Sequence, residues 1–376
     1  MDGSRIDWDS YRREFPVVEN LVYFNNAGTG ALGRRTVAAM ASMAEAQMRS
    51  GGRDWTSWME SVDGLRADAA RLIGADAREI AITKNTSEAL SFLATGLDWR
   101  AGDVVVAPKN DFPANYLPWA RLRSRGVETR WLESRDGRLD LNEIDAACDG
   151  ARLLAVSFVD YLTGFRLDLD AVGEIARRRG CLLAVDAVQG LGPFPVDVAR
   201  SGIDLLSASG HKWLLAPEGV AIGYFSQRLM DELAPIEFGW MNVAGHEEHS
   251  KDETLRDGAA RYECGTLNTV GCFGLRASIE MFLEIGVENT AARVDRLAQR
   301  LADGARAKGF ALAAERDSGS GSGIVSIRRD GMDMAETVRG LAAENVSVAC
   351  RKGWLRASPH FYSSEGDVDR VLELLA

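Results

Sequence analysis

Ser207-Ala-Ser-Gly-His-Lys212-Trp213 places one lysine just beyond an apolar run, Ile203 to Leu206, that reads as a strand. A lysine amine is a weak nucleophile while protonated. Desolvation or a nearby positive group lowers its pKa and frees it to form a Schiff base with an aldehyde. Lys212 is therefore the candidate covalent anchor. Upstream, Leu182-Leu-Ala-Val-Asp186 drives four apolar residues into a carboxylate, the pattern of a buried parallel strand whose C-terminal edge opens on a site.

A lysine and a carboxylate at the ends of two such strands suit pyridoxal 5'-phosphate. Its aldehyde takes the lysine. Its pyridine nitrogen needs an ionised carboxylate beside it, so that the protonated ring drains electrons from a substrate's α-carbon. Asp186 fits that carboxylate, and Gln189 is placed to hydrogen-bond the ring's phenolic oxygen.

The set Ala184-Val-Asp186-Ala-Val-Gln189-Gly followed by Ser209-Gly-His-Lys212-Trp resembles the class V aminotransferase family, which includes cysteine desulfurases, kynureninases and isopenicillin N epimerase. The resemblance runs over nearly the whole chain. It implies the α/β architecture of fold type I pyridoxal phosphate enzymes, with a large domain built on a mostly parallel sheet and a small C-terminal α+β domain. The expected division is an N-terminal segment, 1–20, packing near the small domain, a cofactor-binding domain, 21–269, and a small domain, 270–376.

At 376 residues the chain exceeds the size at which a single core keeps growing, which agrees with two domains. Its 46% hydrophobic and 26% charged residues are those of an ordinary globular enzyme. The net charge of −11 argues against nucleic acid as a partner. The five cysteines are scattered without C-x-x-C spacing, so neither a disulfide framework nor a zinc site is expected. The N-terminus lacks a signal-peptide plan, and no apolar run is long enough for a membrane span, so a cytoplasmic location is expected.

Along the chain, a short helix ending before Pro16 precedes a strand, Leu21–Phe24, and the loop Asn25-Asn-Ala-Gly-Thr-Gly30. By the resemblance this loop enters the substrate pocket, with Asn26 and Ala27 as candidates; a plain turn is the other reading. Residues 35–73 carry helical spacing. The strand Glu79–Thr83 leads into Asn85-Thr-Ser-Glu88, which fits a capping box with Asn85 as N-cap. The free N–H groups of that helix start suit a phosphate, and the family pattern assigns Thr86 and Ser87 to it.

The strand Asp103–Ala107 is followed by Asp111-Phe-Pro-Ala, whose Phe112 matches the kynureninases where desulfurases carry histidine. An aromatic ring there can stack on the pyridine face. Tyr161, after the strand Leu153–Phe158, is a candidate beside the ring oxygen or the substrate. By the resemblance Ser209 and His211 give the phosphate a second anchor. Arg261-Tyr-Glu-Cys-Gly-Thr266-Leu-Asn matches a family signature whose threonine reaches the phosphate of the neighbouring subunit, implying a homodimer with shared sites. Near the end, Trp354-Leu-Arg356-Ala-Ser resembles the closing motif, whose arginine grips the substrate α-carboxylate. A guanidinium suits that task through two parallel hydrogen bonds.

Two motifs are set aside. His246-Glu-Glu-His249 lacks the H-E-x-x-H spacing of a helical zinc site, so no metal is expected. Ser318-Gly-Ser-Gly-Ser-Gly323 imitates a dinucleotide loop but is followed by the strand Ile324–Ile327, not a helix. From about 270 a long amphipathic run, Leu275 to Leu301, leads into the small domain.

The expected activity is that of a pyridoxal phosphate enzyme acting on an α-amino acid. A lyase is preferred, either cleaving a C–S bond by β-elimination or resembling kynureninase. An aminotransferase, an epimerase and an oxygen-dependent decarboxylating deaminase are the alternatives, and a cofactor-binding regulator or scaffold is the non-enzymatic one. Cys350 lies only six residues before Arg356, with no intervening loop to carry a persulfide, which argues against a cysteine desulfurase.

Overall fold

A computed structural model describes residues 6–248, 251–317 and 319–375. His249 and Ser318 of the two motifs set aside above, and the first five residues of the N-terminal segment, lie outside the described residues. The strands are β1 (Val22–Tyr23), β2 (Ile80–Thr83), β3 (Val104–Pro108), β4 (Glu128–Leu132), β5 (Leu153–Ser157), β6 (Leu182–Asp186), β7 (Leu205–Ser209), β8 (Ala221–Phe225), β9 (Ala311–Leu312), β10 (Val325–Arg328), β11 (Val346–Ser347), β12 (Ala349–Arg351) and β13 (Trp354–Ala357).

Seven strands form one sheet in the order β2-β8-β7-β6-β5-β3-β4. Neighbours from β7 to β4 are parallel, while β8 runs antiparallel to both β7 and β2. The central strands are apolar at nearly every position because both faces are covered. Leu154, Val156, Leu183 and Val185 enter one core, and Leu153, Ala155, Leu182 and Ala184 the other. Parallel strands put their C-terminal ends on one edge. Pro108, Ser157, Asp186 and Ser209 therefore come together there, where ligands bind in open α/β sheets.

The small domain is a four-stranded antiparallel sheet, β12-β13-β10-β9, packed against helices around a separate core. Its order and pairing agree with the α/β large domain and α+β small domain expected from the sequence.

Four local expectations change. The strand preceding Lys212 begins at Leu205 rather than Ile203 and continues to Ser209. Two serines sit buried in it because their hydroxyls have partners, Ser207 donating to the Ile222 carbonyl and Ser209 pairing with Thr86. The amphipathic run beginning at Leu275 is two helices, Thr269–Ile285 and Val287–Ala307, separated by Gly286 at φ +85°. The first starts early because the Asn268 side chain caps it through the Gly271 N–H.

β1, expected within the large domain, pairs in parallel with β11, and Phe24 is buried in the small-domain core. The helix start at Asn85 is only half a capping box. Asn85 accepts from the Glu88 N–H at 3.0 Å, but Glu88 accepts from the N–H of Lys84, one residue before the cap.

Candidate active site

β7 delivers Ser209 and then turns, so that His211 and Lys212 face the sheet's C-terminal edge. The Gly30 N–H bonds the His211 carbonyl at 2.7 Å, tying the N-terminal loop to the lysine's segment. Lys212 opens into a cavity of ≈ 390 Å³ whose wall also holds Asp186, Gln189, Thr86, Ser87 and Phe112. Ser209, His211, Tyr161 and Arg356 complete that wall. Eleven of the thirteen residues singled out from the sequence, Ala27 included, are thus brought together.

Burial lowers the pKa of Lys212, opposed by Asp186 and assisted by the positive charges of Arg356 and Arg351. Burial lowers the His211 imidazole as well. The lysine Nζ lies 5.3 Å from the centre of the Phe112 ring, which meets Tyr161 edge-on at 5.5 Å. Phe112, which composition alone would put in a core, is 43% exposed, so its face is open to the cavity. Asp186 is buried and accepts the Val188 N–H at 3.0 Å. Burial pushes its carboxyl up to about 6, with that N–H and Lys212 pulling the other way.

At the helix start, Thr86 and Ser209 form a reciprocal buried pair. The Thr86 N–H donates to Ser209 Oγ at 2.9 Å, the Ser209 N–H to Thr86 Oγ1 at 3.1 Å, and the hydroxyls lie 3.1 Å apart. Ser87 beside them is exposed. Two hydroxyls meeting at a helix start are a setting that suits an anion. Arg356 on β13 donates to the Tyr161 carbonyl at 2.6 Å, while its Nε is buried without a partner. Among the described residues it has no acidic partner. Burial, reinforced by Arg351, lowers its pKa to about 10. Paired hydroxyls at a helix start, a lysine, a buried carboxylate and a guanidinium without an acidic partner, all lining one cavity, fit pyridoxal phosphate carrying an amino acid.

The two remaining candidates lie elsewhere. Asn26 is fully buried, donating to the Ser358 carbonyl at 2.8 Å and accepting from the Tyr362 hydroxyl at 2.8 Å. It joins the N-terminal loop to the C-terminal segment, and Ala27 and Gly28 line the cavity in its place. Thr266 is exposed beside a different cavity, with Lys84 and Glu237. Cys350, whose spacing argues in sequence against a persulfide-forming desulfurase, pairs with Leu355 on the face of the β12–β13 hairpin that packs on the small-domain core.

The sequence reading missed Arg351 and Asp111. Arg351 shares a hairpin face with Arg356, since register pairs Arg351 with Trp354 and Ala349 with Arg356. Asp111 lies behind Phe112, whose N–H bonds its Oδ1 at 2.7 Å. Ser157 and Asn115 donate to its Oδ2 at 2.6 and 2.9 Å. Its only signal in sequence was adjacency to Phe112. Burial pushes its carboxyl up to about 7; the Ser157 and Asn115 bonds oppose the rise and Asp186 adds to it.

A raised folded-state pKa means that the folded protein holds the proton more tightly than the unfolded chain. The associated stability is present below the unfolded value near 4 and is lost as pH rises through about 7. Asp111→Asn removes the ionisation, so the melting temperature of the variant relative to the parent should rise by about 5 °C between pH 4 and 8. A pH-independent difference in melting temperature would show that Asp111 ionises without penalty.

A family model described as Aminotransferase class-V matches residues 22–371. The chain belongs to that family. Class-V aminotransferases use pyridoxal phosphate, in agreement with the cavity. The chain is 31% identical to a protein named probable cysteine desulfurase from Methanothermobacter thermautotrophicus, over 98% of this chain and 97% of the relative. It is 30% identical to an uncharacterized aminotransferase of Bacillus subtilis, over 98% and 97%. Among solved structures, the apo cysteine desulfurase of Thermococcus onnurineus superposes with a TM-score of 0.92 at 27% identity, covering 100% of this chain and 98% of that one.

These relatives overturn the argument against a cysteine desulfurase. The short spacing between Cys350 and Arg356 is a local feature, whereas the likeness to proteins bearing that name extends over nearly the whole chain. They also give no support to the specifically kynureninase-like reading drawn from Phe112 and Tyr161. Among the described residues, no helix is long and apolar enough to cross a membrane, and no cluster of side chains could hold a metal ion.

Proposed function

We propose that this class-V enzyme is a pyridoxal phosphate-dependent lyase that cleaves the C–S bond of a cysteine-type amino acid. The near-full-length likeness to probable cysteine desulfurases carries the reading, and the cavity supports it. When bound, pyridoxal phosphate supplies an electron sink that makes the bonds around the substrate's α-carbon labile.

The chain's own residues supply the rest. Arg356, in the cavity wall, offers its guanidinium to the substrate carboxylate and so fixes which substituent of the α-carbon faces Lys212. Lys212, with its pKa lowered, takes and returns a proton at its Nζ. Asp186 provides the negative charge that a cationic ring nitrogen needs, and that cation in turn favours the ionised carboxylate. Thr86, Ser87, Ser209 and His211 would hold the phosphate, and Phe112 would cover the ring. We assign Thr266 to the phosphate of a neighbouring copy in a homodimer, because it is exposed and away from its own chain's cavity.

The test is to supply L-cysteine, L-cystine and an S-substituted cysteine to the protein loaded with pyridoxal phosphate, with a thiol present, and identify products by mass spectrometry. Released sulfur together with alanine, or with pyruvate and ammonia, supports C–S cleavage. A keto acid formed only when a second keto acid is added would make the enzyme an aminotransferase. Carbon dioxide release with oxygen uptake would make it an oxidative decarboxylase.

A further inference from the structure

Gln189 follows β6 and is buried in the cavity wall, 3% exposed. Its amide is held from both sides. Oε1 accepts the indole N–H of Trp213 at 2.8 Å, and Nε2 donates to the Ala27 carbonyl at 3.1 Å. An indole N–H can only donate and a carbonyl can only accept, so these two partners settle which end of the amide is oxygen. One Nε2 hydrogen remains with no protein acceptor among the described hydrogen bonds, in the wall shared with Lys212 and Asp186.

Trp213 is itself held in place. It directly follows Lys212, is fully buried, and its carbonyl lies 3.1 Å from His360 Nε2. A side chain at Gly323 would come within 2.2 Å of the indole Cη2 and 2.6 Å of Cζ3. The indole therefore occupies space that only a glycine leaves open. Gly323 thereby lets its backbone pack against the residue beside the lysine.

We propose that Trp213 is a positioning residue: its indole N–H fixes the polarity of the Gln189 amide, so that an N–H rather than a C=O faces the phenolic oxygen of the cofactor. The proposal rests on the cofactor reading given above. Without the indole donor, Gln189 Oε1 is left buried and unpaired, and the amide keeps only the Ala27 carbonyl to favour that orientation. A donor on the phenolic oxygen favours the deprotonated form of the lysine-bound cofactor, in which that oxygen carries more negative charge. Losing the donor therefore raises the pH at which the visible band titrates.

The experiment is a pH titration of the visible absorbance of the cofactor-loaded protein, which needs no turnover. Trp213→Phe should raise the midpoint by about half to one pH unit. Gln189→Leu should raise it similarly, and the double variant should move no further than either single one. Should Trp213→Phe fail to fold, Gly323→Ala, which displaces the indole while keeping it, should shift the midpoint in the same direction. A midpoint unchanged in Trp213→Phe, or single-variant shifts that add in the double variant, would overturn the proposal. Absence of any visible band from the parent protein would instead defeat the cofactor reading beneath it.

Discussion

Lys212→Ala should abolish the yellow colour of the cofactor-loaded protein and lower the rate of sulfur release by about a thousandfold or more. On the proposed reading two losses combine in it, the covalent anchor and the group that moves the α-proton, and positioned acid–base catalysis alone contributes about 10²–10⁴-fold. The fold should survive. Lys212 is only half-buried and leaves the sheet after β7, and the neighbouring core contact is made by Trp213. A variant that keeps both colour and turnover would remove Lys212 from the mechanism.

Arg356→Ala should raise KM for a cysteine-type substrate by about a hundredfold, since charge-assisted hydrogen bonds to a buried carboxylate are worth about 3 kcal/mol together. Arg356 already bonds the Tyr161 carbonyl through one terminal nitrogen, leaving the other terminal nitrogen for a ligand. The same change should leave the cofactor band in place, because Lys212 and the paired Thr86 and Ser209 remain untouched. Steady-state kinetics with the absorbance spectrum as control separates the two effects. A fall in kcat with KM unchanged would mean that Arg356 does not hold the substrate in the ground state.

The parts of the site legible in sequence were those carried by short segments with a fixed geometry. Four apolar residues ending in Asp186 can be a buried parallel strand, and the strand's direction then puts the carboxylate at the ligand-binding edge. A helix cap at Asn85 announces free N–H groups nearby. What escaped depends on contacts between distant segments. Asn26 looked like a pocket residue because its loop follows a strand, yet its partners Ser358 and Tyr362 are 332 and 336 residues away. No local pattern reports that pairing.

Arg351 needed the register of the β12–β13 hairpin, and β1 needed its pairing with β11, before either could be placed. The argument from Cys350 failed differently. It inferred a reaction from the length of one connection, and the likeness over the whole chain outweighs a local spacing.

The most direct test of the account is to load the protein with pyridoxal 5'-phosphate, reduce it with borohydride, digest it, and find the modified residue by mass spectrometry. The account predicts a single reduced adduct on Lys212, in the peptide that also carries Trp213. An adduct on another lysine, such as the exposed Lys84 or Lys352, or no adduct at all, would contradict it.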